Sequence, residues 1–446
     1  MNRRQRKSEP FSWPSFPFAP RAFPFFYGWV IVVVTTLGII ASTPGQTIGV
    51  GVFTESLMQV LTLSRRQLSL AYMLGTLASG LMLPLAGSMT DRLGTRAVMA
   101  LSSLGLAVGL LFFANADLIG QASTGPVFTI LAISGCFFVV RFFGQGCMTL
   151  VSRITLSKWF NHYRGLATGL STVVSAYAFN TSPTLLNTAV EQHGWKMVFY
   201  GLALFSGTAV VLMALIFYRD NPEQCGLAMD GTSPETPQKK HRPSLSRFEV
   251  HRQFTRAQAI RTMPFWAMSS VTSWQALFMT AFAFHLTSIG DAFGLKRHQA
   301  YAVFPLIGIV SVLSAVLGGW ISDRIELKWL FLASTLGQLI ASISLLAFGH
   351  ETARYFFVLG YGIFSGLFGV LLTVSGPRFF GREHLGAIAG FNQSLLVIFS
   401  ALGPYLFSLL YDVKQTYTLV TWVCLIVTIL LIVPTLLMRN PQTKES

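Results

Sequence analysis

The chain has 446 residues, of which 52% are hydrophobic and only 11% charged, with 39 Gly and 38 Phe. Soluble domains carry about 25% charged residues, so this composition excludes a water-soluble globular fold. The net charge of +15 is a level at which nucleic acid is a conceivable partner. The basic residues, however, sit in short connections between apolar runs, and that placement identifies the lipid bilayer as the partner instead.

Residues 1–26 open with Arg3, Arg4, Arg6 and Lys7 and continue with Pro10, Pro14, Pro17, Pro20 and Pro24 alternating with Phe and Trp. Proline at that density blocks a regular helix, and aromatics suit the headgroup layer. The segment is expected to be a basic tail at the cytoplasmic interface, with the first membrane helix acting as an uncleaved signal anchor. A bilayer core about 30 Å thick needs about 20 apolar residues per helix. Such runs fall at 27–50, 68–89, 97–115, 126–151, 165–190 and 197–218, and again at 264–290, 299–321, 328–348, 354–376, 385–410 and 416–438. The expected fold is therefore all-α: about twelve transmembrane helices in two six-helix bundles, 27–218 and 263–438. Between them, 219–262 is polar and holds Lys239, Lys240, Arg242, Arg247, Arg252, Arg256 and Arg261, a linker composition. A short cytoplasmic tail, 439–446, follows the last helix. With the N-terminus inside, inner connections collect about 24 of the 32 Lys and Arg, the asymmetry of the positive-inside rule. The expected localisation is the cell inner membrane or plasma membrane, multi-pass, with both termini cytoplasmic. Cys136, Cys147, Cys225 and Cys424 form no CxxC pair and read as small buried hydrophobes, not metal ligands.

The halves echo each other. Gly87-Ser-Met-Thr-Asp91-Arg92 follows the second run of the first half, and Gly319-Trp-Ile-Ser-Asp323-Arg324 follows the second run of the second. Trp159-Phe160 to Arg164 and Phe379-Phe380 to His384 precede the fifth and eleventh runs in the same way. A duplicated six-helix unit is a transporter architecture. The connection Gly87-x-x-x-Asp91-Arg92-x-Gly94-x-Arg96 resembles the helix 2–3 signature of the major facilitator superfamily, and the resemblance covers the whole chain. It implies alternating access, with Gly87, Asp91, Arg92, Gly94, Arg96, Asp323 and Arg324 as a conformational latch. Glycine permits a tight turn, and an aspartate suits a helix N-terminus or a nearby Arg. The second copy has Glu326 where the first has Gly94, so that half of the latch is expected to be weaker.

Within the superfamily, Phe26-Tyr27-Gly28-Trp29-Val30 and the Lys158 to Leu170 stretch resemble the monocarboxylate transporter and oxalate/formate antiporter branch. That resemblance implies a small organic anion as substrate and proton symport. The chain also departs from the branch. Gln46-Thr47-Ile48-Gly49-Val50 lacks the lysine of the animal lactate carriers, and neither 299–321 nor 385–410 carries the branch's basic residue.

Arg141, in Arg141-Phe-Phe-Gly144-Gln145-Gly146, is expected near mid-bilayer, where an ionisable residue marks a functional site by default. Two readings stay open. It clasps a substrate carboxylate, for which its planar fork is suited, or it hydrogen-bonds carbonyls of the first helix near Gln46. His285, in the seventh run, is a candidate for the coupled proton, with Asp291 a second. Gln46, Tyr177, Asn180, Trp274, Gln275, Tyr361, Asn392 and Gln393 are further candidates to line the substrate path. Each has interhelical hydrogen bonding as its structural alternative. Pro44-Gly45 is read as a hinge or a helix exit.

There is no Walker loop, HExxH, GxSxG or paired carboxylate in a membrane run. The chain is read as no enzyme, with no cofactor and no metal, driven by a gradient and working as a monomer. Two alternatives stand beside the anion carrier. One is drug or metabolite efflux, although this chain lacks the acid in the first helix and the Gly-Pro pattern in the fifth that a resemblance to the superfamily's drug/proton antiporters would imply. A nutrient receptor of the same fold is expected to carry a long folded tail.

Overall fold

The computed structural model describes residues 15–122, 125–231, 250–414 and 416–442. The arginines and Lys7 expected near the N-terminus, and Lys239, Lys240, Arg242 and Arg247 of the linker, lie outside the described residues, as does the side chain of Asn180. No strand occurs among the described residues.

Each expected apolar run is helical. In the first half these are α1 (Gly28–Ala41), α2 (Arg65–Leu93), α3 (Thr95–Ala114), α4 (Pro126–Trp159), α5 (Arg164–His193) and α6 (Trp195–Phe217). In the second they are α7 (Met263–Ala292), α8 (Val303–Ser322), α9 (Leu327–Leu345), α10 (Glu351–Phe380), α11 (Leu385–Lys414) and α12 (Thr418–Leu437). Nine helices among the described residues are long and apolar enough to cross a membrane. Pro84, Pro183, Pro377, Pro404 and Pro434 stand inside helices, which membrane helices tolerate because neighbours re-satisfy the freed carbonyls.

The first run is interrupted. After α1 the chain makes a 3-10 turn at Thr43–Gly45 and resumes as a short helix at Thr47–Val52. Pro44 has no amide hydrogen and disfavours helical backbone before it. The break occurs where α4 itself widens into a π-helical stretch, Arg141–Met148. A Cβ on Gly45 would sit 2.6 Å from the Val140 carbonyl oxygen and 2.8 Å from the Gly144 Cα, so only glycine lets these two irregular backbones meet.

The described residues fall into two compact units: those within Met1–Asn161, Val174–Pro237 and Leu385–Ser394, and those within His162–Val173, Gln238–His384 and Leu395–Ser446. The first turns of α5 thus group with second-half helices, and those of α11 with first-half helices.

In the first unit the segment 15–27 is tied down. Arg96 and Arg219 each donate from Nη2 to the Phe16 carbonyl, at 2.6 and 2.9 Å. The Phe18 ring lies under the Arg219 guanidinium, and Tyr27 donates to the Phe217 carbonyl. The interior of the second unit is aromatic, with Phe278, Phe282, Phe348, Phe357, Tyr361 and Phe364 buried together. Large apolar side chains such as Leu81, Val127, Leu313 and Leu430 point outward. That inversion of the soluble pattern is what a bilayer permits and water penalises.

Candidate functional site

Arg141 stands at the first residue of the π-helical stretch and is 1% exposed. Its Nη1 donates to the Gly45 carbonyl at 3.0 Å and to Thr47 Oγ1 at 3.3 Å. Thr47 Oγ1 in turn pairs with the Tyr72 hydroxyl at 2.8 Å, and the guanidinium lies 5.1 Å from the Tyr72 ring centre. The break in α1 explains the first bond: an interrupted helix leaves carbonyls without intrahelical donors. Arg141 Nε and, one turn on, Gln145 Oε1 are buried without a protein partner. Among the described residues, the groups holding Arg141 are a carbonyl, a hydroxyl and a ring, with no carboxylate. The site therefore offers a buried positive charge with donor capacity left over. Gln46 turns away, donating to Ser42 Oγ at 3.0 Å.

The other residues singled out in the sequence are distributed over both units. Asn392 and Gln393 are buried in the first, and Asn392 Oδ1 has no protein partner. Tyr177 is exposed. In the second unit Trp274 Nε1 donates to Thr428 Oγ1 at 3.1 Å and Gln275 Nε2 to Ser334 Oγ at 2.8 Å. The Tyr361 ring packs on Phe278, Phe282, Phe357 and Phe364. His285 has both nitrogens engaged: Nε2 with the Pro404 carbonyl and Nδ1 with the Tyr417 hydroxyl, each at 3.0 Å. A carbonyl only accepts, so Nε2 carries the hydrogen. In the neutral ring Nδ1 then accepts from Tyr417. Asp291 is exposed near the end of α7.

The duplicated aspartates do the same thing in each unit. Asp91 accepts from the backbone N–H of Gly386 and Ala387 at 2.8 and 2.7 Å, capping α11. Asp323 accepts from Gly165 and Leu166 at 2.9 and 3.3 Å, capping α5. A Cβ on Gly87 would overlap the Gly386 carbonyl, and one on Gly319 the Gly165 carbonyl, so both contacts need glycine on the approaching helix. Burial pushes the Asp323 carboxyl up to about 6, against the opposing pull of its two N–H donors and of Arg164 and Arg378.

The turn after Asp91 uses Gly94 at φ +83°. At the matching position Glu326 has φ −66°, an ordinary value for any residue, which is why no glycine is needed there. Arg92 is exposed. Arg96 donates from Nε to the Leu215 carbonyl at 2.8 Å, and Arg324 donates to the Trp320 carbonyl at 2.6 Å while lying over that residue's ring.

Three buried polar features escape sequence reasoning. Asp220 caps α3 through the Thr95 backbone N–H and, at 2.7 Å, through Thr95 Oγ1. Tyr218 joins Ser152 Oγ to the Val34 carbonyl. Gln338, on α9, is buried with neither amide atom partnered. Only the acidic residue directly after the sixth run, in a chain poor in acids, hinted at the first. Among the described residues no group of three or more His, Cys, Asp or Glu forms a metal site.

The Major Facilitator Superfamily model matches residues 34–394 and 267–446, and the chain belongs to that family. It is a multi-pass membrane transporter of the facilitator type. It is 22% identical over 348 residues to the riboflavin transporter RibJ of Trypanosoma cruzi, covering 68% of this chain and 71% of that protein. A match to RibJ of Trypanosoma brucei brucei reaches 28% identity but spans 34% of this chain and only 26% of that protein. The glucose transporter GlcP of Staphylococcus epidermidis is 20% identical over 365 residues, 76% of this chain and 77% of that one. Among solved structures, the proton:xylose symporter XylE bound to 6-bromo-6-deoxy-D-glucose superposes with a TM-score of 0.68 at 15% identity, over 92% of this chain and 95% of that one. The Escherichia coli fucose:proton symporter FucP gives 0.58 at 12% identity, over 94% and 99%. These two likenesses establish the fold.

Proposed function

We propose that this transporter is a secondary carrier of a small organic anion, a monocarboxylate first among them, moved with a proton by alternating access. The observation that carries the proposal is Arg141: a buried guanidinium with no carboxylate among its contacts and with Nε unpartnered. A buried cation without a counter-ion is costly, and an anionic substrate supplies the missing charge together with the acceptor that Nε lacks. Nη1 holds the interrupted first helix through Gly45 and Thr47 while Nε is left for a ligand, so the scaffold and ligand readings of Arg141 are compatible. His285 is the proposed proton carrier: with Nε2 held by Pro404, protonation at Nδ1 requires only that Tyr417 rotate its hydroxyl from donor to acceptor. Both termini are placed in the cytoplasm on the distribution of basic residues.

A second reading is favoured by a different observation. The named relatives transport riboflavin and glucose, which are hydroxyl-rich and carry no carboxylate. Buried amide oxygens at Gln145 and Asn392 suit a neutral, hydroxyl-bearing solute.

Uptake into proteoliposomes separates the two. Labelled lactate, pyruvate, acetate and formate are tested with and without an inward proton gradient, beside riboflavin and glucose, with Arg141→Ala as control. Gradient-dependent accumulation of one acid, lost in the variant, supports the anion carrier. Uptake of riboflavin or glucose, with all four acids excluded, replaces it with the neutral-solute reading.

A further inference from the structure

A second buried polar site lies inside the second unit, away from Arg141. Gln275 on α7 donates from Nε2 to Ser334 Oγ on α9 at 2.8 Å. Ser334, Gln338 and Ser342 recur every four residues along α9, a spacing that stacks side chains on one face of a helix. All four side chains are fully buried, at 0% exposure. Yet Gln275 Oε1, Gln338 Oε1, Gln338 Nε2 and Ser342 Oγ have no protein hydrogen-bond partner. Four orphaned polar atoms on successive turns of one seam are exceptional, because buried polar groups are nearly always paired, by ordered water where the protein does not suffice. The set also has the right chemistry: two amide oxygens that accept, an amide nitrogen that donates and a hydroxyl that does either, which suits a molecule able both to donate and to accept.

We propose that the seam formed by Gln275, Ser334, Gln338 and Ser342 is a binding site for ordered water, which joins α7 to α9 inside the second unit. A monovalent cation is the poorer occupant. From Met263 to Gly290 on α7 and throughout α9 there is no carboxylate, and a buried cation needs a counter-charge. The site gives Gln275 a task in the interior of the unit: Nε2 bonds Ser334 directly, and water takes up Oε1, which no protein group meets. It stands independently of the substrate assignment.

The test uses the purified full-length protein. Gln275→Met, Gln338→Met and the double variant preserve side-chain length and remove the amide. Unfolding is followed with a thiol-reactive dye, since all four cysteines are buried and free. If water completes the seam, Gln338→Met melts several degrees lower, because it strands the water-bound Oε1 of Gln275, and the double variant loses less than the two single variants together, since Gln275→Met also breaks the direct bond to Ser334. If the seam is dry, Gln338→Met melts higher, because it removes an amide with no protein partner, and the proposal falls. A melting temperature that rises when sodium replaces choline in the buffer overturns it in favour of a cation site. A high-resolution density map of the unmodified protein decides independently of folding: a peak within hydrogen-bonding distance of Gln338 Nε2 or Oε1 supports the proposal, and a continuous apolar contact there refutes it.

Discussion

Replacing Arg141 with methionine separates a ligand site from a scaffold, because the two roles predict opposite balances of stability and transport. The substitution removes one charge-assisted hydrogen bond to the Gly45 carbonyl, a weaker one to Thr47 and the contact with the Tyr72 ring. The charged bond is worth about 1.5–3 kcal/mol, and a desolvated cation–ring contact about 2 kcal/mol. Against this, methionine relieves a buried charge without a counter-ion, whose burial costs several kcal/mol. The terms offset to within about 2 kcal/mol, so the melting temperature is expected to move by only a few degrees. Binding of an anion loses its charged partner outright. A loss of about 1.5–3 kcal/mol at about 1.4 kcal/mol per tenfold weakens it roughly 10- to 150-fold. The assay pairs thermal unfolding with concentration-dependent uptake in proteoliposomes. A melting temperature lower by well over ten degrees, with uptake falling only in proportion to folded protein, refutes the ligand role. Unchanged uptake refutes it equally.

The remaining predictions concern the Asp323 cap, a turn and the proposed proton carrier. Asp323 has its carboxyl raised to about 6, above the unfolded value near 3.9. The folded state thus holds the proton more tightly, and this contribution is fully present below about pH 3.9 and lost as pH rises through about 6. It amounts at most to about 3 kcal/mol. Asp323→Asn is expected to flatten the difference in melting temperature between pH 4 and pH 7, and an unchanged slope shows that another group titrates. Gly94→Ala adds a Cβ at φ +83° and 2.6 Å from the Asp220 carboxylate. It is expected to cost about 1–3 kcal/mol in thermal unfolding, whereas Glu326→Ala, at an ordinary φ, changes little. His285→Gln is expected to abolish acceleration by a proton gradient while leaving counterflow exchange of substrate, and Tyr417→Phe to shift the pH profile of uptake. Intact gradient dependence in His285→Gln assigns the proton elsewhere.

Much of the architecture was legible because its causes are local. A run of apolar residues is a property of contiguous sequence, and the helices follow the runs closely. Proline and glycine act on their own backbone, which is why Pro44-Gly45 marked the break in α1 and Gly94 the turn. The aspartate signatures could be read twice because a helix N-terminus has the same unmet N–H donors wherever it occurs. What tertiary structure alone decided is who meets whom across long separations. Arg141 finds the Gly45 carbonyl 96 residues away, Asp220 finds the start of α3 at a separation of 125, and His285 finds Tyr417 at 132. In a membrane, hydropathy says only that a side chain is at helix depth. Which face it occupies, and whether a polar group opposite satisfies it, depend on helix rotation and packing set by the whole bundle. That is why Gln275 and Gln338 look alike in sequence while only the structure shows one amide half-paired and the other with no protein partner.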